Sequence, residues 1–92
     1  MKRFVNNAEK AAYSLQADKT EILKSTADGT TVTTVYEGNC LSETHQLPTD
    51  PVWDIRRTVI TETEDSVEVD EKWAETDHNA WTDRATLTYV YR

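Results

Sequence analysis

The stretch VWDIRRTVITETEDSVEVDEKWAET, residues 52–76, contains the two β-prone runs that decide the fold. The runs Val52–Thr63 and Val67–Thr76 flank a polar segment of three residues, Glu64-Asp65-Ser66, which has the length of a hairpin loop. Pairing the runs through this loop collects most of their apolar side chains on one face: Trp53, Ile55, Val59, Val67, Val69 and Trp73. We therefore predict an antiparallel hairpin in this register, because a slip by one residue mixes the two faces.

Further strands and one helix are predicted on either side of this hairpin. Thr20–Thr26 and Thr30–Glu37 are joined at Asp28-Gly29, where glycine supplies the positive φ of a tight turn, and Ala85–Tyr91 alternates like a last strand. A short helix is predicted over residues 7–17 from apolar residues with the spacing of one helical face: Ala8, Ala11, Ala12 and Leu15. The predicted fold is α+β, a single domain over residues 1–92 in which this helix packs on a four- to five-stranded antiparallel meander sheet.

Length and composition limit the classes of function that the chain serves. Ninety-two residues, 37% of them apolar, form one folded domain with little room for an enclosed active site. Cys40 is the only cysteine, so no internal disulfide forms. We expect no secretory signal, because no apolar run follows the basic residues of MKRFVNNAEK, and the sequence shows no apolar run of about 20 residues, the length of a membrane span. We expect a cytoplasmic protein with no membrane partner.

The formal net charge is −7, and it is unevenly distributed along the chain. Residues 1–24 contain five basic and three acidic residues, a balance of +2, whereas residues 25–92 contain five basic and fourteen acidic residues, a balance of −9. Phosphate binding needs clustered lysine and arginine, so direct binding of duplex DNA is not expected. The charge favours a basic nucleic-acid-handling protein or a ribonucleoprotein complex as the partner.

Other candidate chemistries lack the residue patterns that they require. Cys40, His45 and His78 match no zinc-ligand spacing, and nothing near Cys40 activates its thiol as a nucleophile. Acid–base catalysis needs one carboxyl group held in an apolar pocket, which a half-exposed hairpin does not offer. We expect neither an enzyme nor a bound metal or other cofactor. Trp81 lies in a polar segment and is predicted either to close the core or to anchor a partner.

Acidic residues crowd the hairpin and are the candidate partner-binding residues. In the predicted register Arg57 lies opposite Trp73, whereas Glu62 lies opposite Glu68, and directly opposed like charges cost up to about 1 kcal/mol. Two interpretations stay open: the face aids solubility and guards a sheet edge, or it binds a basic surface. The candidates for binding are acidic apart from one tryptophan: Glu62, Glu64, Asp65, Glu68, Asp70, Glu71, Glu75, Asp77 and Trp81.

The chain resembles the small acidic inhibitors that phages encode against host defence, notably anti-CRISPR proteins and the uracil-DNA glycosylase inhibitor. The resemblance covers size, single domain, the pattern of a helix with an antiparallel sheet, and acidic sheet residues, and it rests on no shared motif. It implies a protein that occupies the basic nucleic-acid-binding surface of a host defence complex, for example a CRISPR-Cas surveillance complex. Such a protein blocks the binding of target DNA in the cytoplasm of a bacterial host.

A second class of function fits the same sequence. A small β-rich structural or adaptor subunit of a larger assembly, such as a virion component, would use its charge for solubility. Its contacts would then come from an exposed sheet edge or from the loop at residues 38–51. The binding partner distinguishes the two classes: an inhibitor binds a basic nucleic-acid-handling protein, whereas an assembly subunit associates with itself or with other shell proteins.

Overall fold

The computed structural model describes residues 18–41 and 46–92, and these form one antiparallel sheet in meander order. The strands are β1 (Lys19–Ala27), β2 (Thr30–Cys40), β3 (Trp53–Glu62), β4 (Val67–Ala74) and β5 (Tyr89–Val90). The predicted antiparallel meander is confirmed. The helix predicted over residues 7–17 lies outside the described residues, and the only helix in the described part is one 3₁₀ turn, Trp81–Asp83. No helix there is long and apolar enough to cross a membrane.

The β1–β2 hairpin has the turn that its sequence predicts. Its two central residues, Asp28 and Gly29, have φ of 55° and 81°, so both lie in the left-handed region. Positive φ at both central positions is typical of the type I′ turn, for which Asp-Gly is a preferred pair. The turn sets the register in which Ala27 pairs with Thr30.

The β3–β4 hairpin differs from its predicted register by one residue. Its closing residues are Thr63 and Ser66: the Thr63 N–H donates to the Ser66 carbonyl at 2.9 Å, and the Ser66 N–H donates to Thr63 Oγ1 at 3.1 Å. The loop between them has two residues, Glu64-Asp65, and not the predicted three. The predicted register was therefore wrong, and Trp73 lies opposite Arg56.

This register separates apolar residues of β3 and β4 that were predicted to share a face. We call the face that carries Trp53 and Ile55 the covered face, because residues 75–88 pack against it, and the opposite side the open face. Directly opposed residues share a face, so the pairing of β3 with β4 places the even-numbered residues of β4 on the covered face. The open face receives three of the four apolar residues of β4: Val67, Val69 and Trp73.

The hydrophobic core occupies one end of the covered face. Its buried members are Tyr36, Trp53, Ile55, Ala74, Trp81 and Tyr89. The Trp53 and Trp81 rings meet at a tilted angle with centroids 6.4 Å apart. Trp81 also lies against Gly38, where an added Cβ would be only 2.6 Å from the indole ring. Glycine on β2 therefore lets the tryptophan of the 3₁₀ turn contact the sheet directly.

Hydrogen bonds fix the segment of residues 75–88 on the sheet. Trp53 and Asn79 exchange both backbone N–H···O=C bonds at 3.0 Å. Arg84 Nε donates to the Glu21 carboxylate of β1 at 2.7 Å, and this hydrogen bond lowers the pKa of Glu21. The strand predicted over residues 85–91 pairs only at Tyr89–Val90, because the chain before it is still turning after the 3₁₀ helix.

Tyr89 gives the core a pH dependence. Its hydroxyl donates to the Arg84 carbonyl at 2.7 Å, and burial raises its pKa to about 12 from the ordinary 10.0. A raised phenol pKa contributes stability that is fully present below pH 10. Between pH 10 and about 12 the phenol of the unfolded chain loses its proton while the phenol of the folded chain keeps it, so this contribution is lost as the pH rises. Two pKa units correspond to roughly 2–3 kcal/mol.

We therefore expect Tyr89→Phe to flatten the decline of unfolding free energy between pH 10 and about 12. Urea unfolding of both proteins across this range measures the difference, and each protein at neutral pH serves as its own reference. Parallel declines for the Tyr89→Phe variant and the parent would contradict the expectation.

Candidate functional site

Unpaired carboxylates gather at the end of the sheet that carries both hairpin turns. In an antiparallel meander the β1–β2 and β3–β4 turns lie at the same end, and the core lies toward the other. Within residues 18–41 and 46–92, none of the carboxylates at this end forms an ion pair, and all of them belong to exposed residues. We call this set the acidic end: Asp28, Glu62, Glu64, Asp65 and Glu68.

The acidic end is free of opposed like charges. Glu62 lies opposite Val67 on the open face, whereas Glu68 lies opposite Thr61 on the covered face. The predicted contact of Glu62 with Glu68 was therefore wrong, because it depended on the three-residue loop. The corrected register distributes the carboxylates over both faces around the turn, so the electrostatic cost of crowding them falls.

Two of the predicted binding residues have partners within the sheet. Asp70 accepts a hydrogen bond from the Tyr91 hydroxyl, which raises the pKa of Tyr91, and lies 3.9 Å from Lys72 Nζ. Glu71 Oε2 lies 2.8 Å from Arg56 on the open face. These two carboxylates are partly neutralised, so they contribute less to the outward field than the acidic end does.

The remaining predicted binding residues lie toward the core end of the molecule. Glu75 follows β4 directly and donates its backbone N–H to the Thr88 carbonyl at 2.9 Å, and Asp77 contacts His78. Trp81 is only 8% exposed and belongs to the core. The interpretation of Trp81 as an exposed anchor is therefore corrected in favour of the alternative, an indole that closes the core.

Beside the acidic end, the covered face of the sheet is exposed to solvent. A shallow depression of about 640 Å³ is lined by residues of both strands of the hairpin: Val59, Thr61, Glu68, Val69 and Asp70. None of residues 75–88 lines it, so Glu68 stands there beside the half-buried Val59, which shares its face. A broad, shallow surface of this kind suits contact with a macromolecule better than enclosure of a small molecule.

Two features of the site were missed from the sequence. Asp28 joins the acidic end because meander order brings both turns together, a relation that the predicted topology already contained. Arg56 lies between Glu37 and Glu71 and stacks over Trp73 at 5.5 Å, and this network depends on the register that the sequence predicted wrongly. It stabilises the middle of the open face.

Within the described ranges, no group of three or more His, Cys, Asp or Glu side chains is arranged to hold a metal ion. Comparison with protein-family models, curated proteins and solved structures gives no match to the chain. The electrostatics of the acidic end are therefore the main guide to function.

Proposed function

We propose that this protein is a small acidic inhibitor that docks its acidic end on the basic nucleic-acid-binding surface of a host defence complex. A CRISPR-Cas surveillance complex is the example suggested by the resemblance to phage-encoded inhibitors. The docked protein occupies the site that target DNA requires, and it acts in the cytoplasm of a bacterial host. No catalytic step and no cofactor enter this proposal.

The observation that carries the proposal is the segregation of unpaired charge. Carboxylates of β3, β4 and both turns meet at one end without counter-ions among the described residues, whereas the arginines of β3 are engaged nearer the core. A concentrated field of one sign speeds encounter with a surface of the opposite sign. Carboxylates kept for solubility alone have no need to be concentrated at one end.

A charge-neutralised variant tests the acidic end. We expect Glu62→Gln, Glu64→Gln and Glu68→Gln together to weaken inhibition at least tenfold, about 1.4 kcal/mol, while the fold stays intact. The measurement is displacement of labelled target DNA from a purified CRISPR-Cas surveillance complex at about 50 and about 200 mM salt, because screening weakens charge attraction. The variant should also show a smaller dependence on salt than the parent.

A matched control removes the same charge elsewhere. Glu75→Gln, Asp77→Asn and Asp83→Asn together neutralise three exposed carboxylates toward the core end. This control changes net charge equally and should displace DNA nearly as well as the parent. If both triple variants perform like the parent at both salt concentrations, the acidic end is a solvated surface, and the proposal fails.

The alternative function, a structural or adaptor subunit of a larger assembly, draws on a different part of the molecule. The observation that favours it is the outer side of β1, which pairs with no other strand among the described residues. An assembly subunit would bind other shell proteins and would not displace DNA from a basic complex.

A further inference from the structure

β1 is an open sheet edge. In the part of the chain that the structure describes, the sheet order begins at β1, and no strand pairs with its outer side along the nine residues Lys19–Ala27. Its two consecutive apolar residues are exposed, Ile22 by 64% and Leu23 by 48%. Exposed backbone N–H and C=O groups beside apolar side chains form a template for another strand.

The opposite edge of the sheet is protected. β5 pairs with the end of β4, and beyond this pairing the Tyr91 hydroxyl reaches Asp70 of β4. The rest of β4 carries acidic residues, which discourage pairing with another acidic chain. Val67 and Val69 of β4 are as exposed as Ile22, at 63% and 64%, but the carboxylates among them make β1 the more favourable edge for a second acidic chain.

β1 also has the charge that self-association of an acidic protein requires. It carries Lys19 and Lys24 against Glu21, a balance of +1, in a chain with a net charge of −7. Glu21 is in turn paired with Arg84. Two copies therefore meet with least repulsion when β1 faces β1.

We propose that two copies of this chain pair through β1, antiparallel, about a two-fold axis perpendicular to the sheet, to form one continuous ten-stranded sheet. With such an axis, odd-numbered residues of one copy lie opposite odd-numbered residues of the other, and even-numbered opposite even-numbered, since directly opposed residues share a face. Full overlap of Lys19–Ala27 then centres the pairing at Leu23, which lies opposite Leu23 of the second copy. The inference is independent of the proposed inhibitor function.

This register agrees with the side chains of β1. Ile22 lies opposite Lys24, whose aliphatic stem packs on it, and Glu21 lies opposite Ser25. No opposed pair carries like charges. A shift that centres the pairing at Lys24 would place two lysines opposite one another, which is destabilising.

The two-fold axis also separates the acidic ends. Because the strands of the two copies run in opposite directions at β1, the turns of one copy lie at the end of the sheet opposite to the turns of the other. The largest concentrations of negative charge therefore stand at opposite ends of the dimer. The acidic end of each copy remains accessible.

Cysteine cross-linking tests the register. In a Cys40→Ser background, Leu23→Cys places two thiols across the axis, where opposed Cβ atoms lie about 4.5–5.5 Å apart, close to disulfide geometry. Thr26→Cys is the control on the same strand. In this register the position 26 of one copy lies six residues along the strand from the position 26 of the other, a distance of roughly 20 Å. We expect a disulfide-linked dimer of the Leu23→Cys variant under mild oxidation and almost none of the Thr26→Cys variant. Equal cross-linking of the two variants would overturn the register.

Sedimentation equilibrium of the full chain tests the dimer itself. We expect a reversible monomer–dimer equilibrium that tightens with added salt, as repulsion between two acidic chains is screened. Leu23→Lys opposes two lysines and should weaken the dimer at least tenfold. Leu47→Lys makes the same change at an equally exposed leucine, 49%, outside β1 and should leave the equilibrium unchanged. A monomer at all concentrations, or equal dimerisation of both lysine variants, would overturn the proposal.

Hydrogen exchange distinguishes pairing of β1 between two copies from coverage of β1 by another part of the same chain. Protection of β1 amides should rise with chain concentration, because pairing between copies buries the outward N–H groups. Protection of the same amides that does not change with concentration would mean that β1 is already covered, and would count against pairing between copies.

Discussion

Replacing Trp81 with alanine is expected to lower the free energy of unfolding by about 3–5 kcal/mol, the usual cost of truncating a buried aromatic residue. The indole is 8% exposed, contacts Gly38 of β2 and meets Trp53 of β3. The Arg84 guanidinium lies 4.8 Å from the ring centroid. One side chain of a single 3₁₀ turn thus joins two central strands to the segment that covers them, and its removal leaves a cavity beside Gly38, which has no side chain to fill it.

Trp73→Ala is the matched control for this prediction. Trp73 is half-buried on the open face, where Arg56 and Arg92 stack over its ring at 5.5 and 4.9 Å. Its loss should cost only about 1–2 kcal/mol, because cation–π contacts at accessible sites are weak and little enclosed volume is lost. Urea unfolding of both variants measures the difference. A greater loss of unfolding free energy for Trp73→Ala than for Trp81→Ala would mean that the core lies on the open face, and would contradict the structure.

The meander could be predicted from the sequence because its signals are local. The β-branched run of β2 and the Asp-Gly turn each act within a few residues, and both appear as predicted. The register of β3 with β4 could not be predicted in the same way. Thr63 and Ser66 close the loop through hydroxyl and backbone hydrogen bonds, and these override the tendency to align the apolar residues of both strands on one face.

The candidate site was predictable in composition and not in arrangement. The predicted acidic residues are on or beside the hairpin, but strand direction separates Glu75 and Asp77 from the acidic end, and cross-strand partners engage Asp70 and Glu71. Such pairings depend on the register and on the position of Tyr91 after β5. The sequence gives neither of these without the tertiary fold.

Ile55→Ala is expected to cost about 2–5 kcal/mol, as truncation of a fully buried isoleucine does. Its side chain has no exposed surface and belongs to the core at one end of the covered face, where Ile55 lies opposite Gly38 of β2. A domain of this size has a total stability of only about 5–15 kcal/mol, so the variant should be partly unfolded at moderate temperature. Thermal and urea unfolding measure the loss.

Ile60→Ala gives the sharpest comparison, because the same change is made on the same strand at a residue that faces the other side of the sheet. Ile60 lies on the open face between Thr33 of β2 and Val69 of β4 and is only partly buried. The Ile60→Ala substitution should lower the free energy of unfolding by about 1 kcal/mol, since Ile60 buries less apolar surface than Ile55 does. Equal losses at Ile55 and Ile60 would mean that both faces of the sheet are covered in solution. A small loss at Ile55 alone would mean that the strand presents its other face to the core, and would contradict the register from which the acidic end and the open edge of β1 are derived.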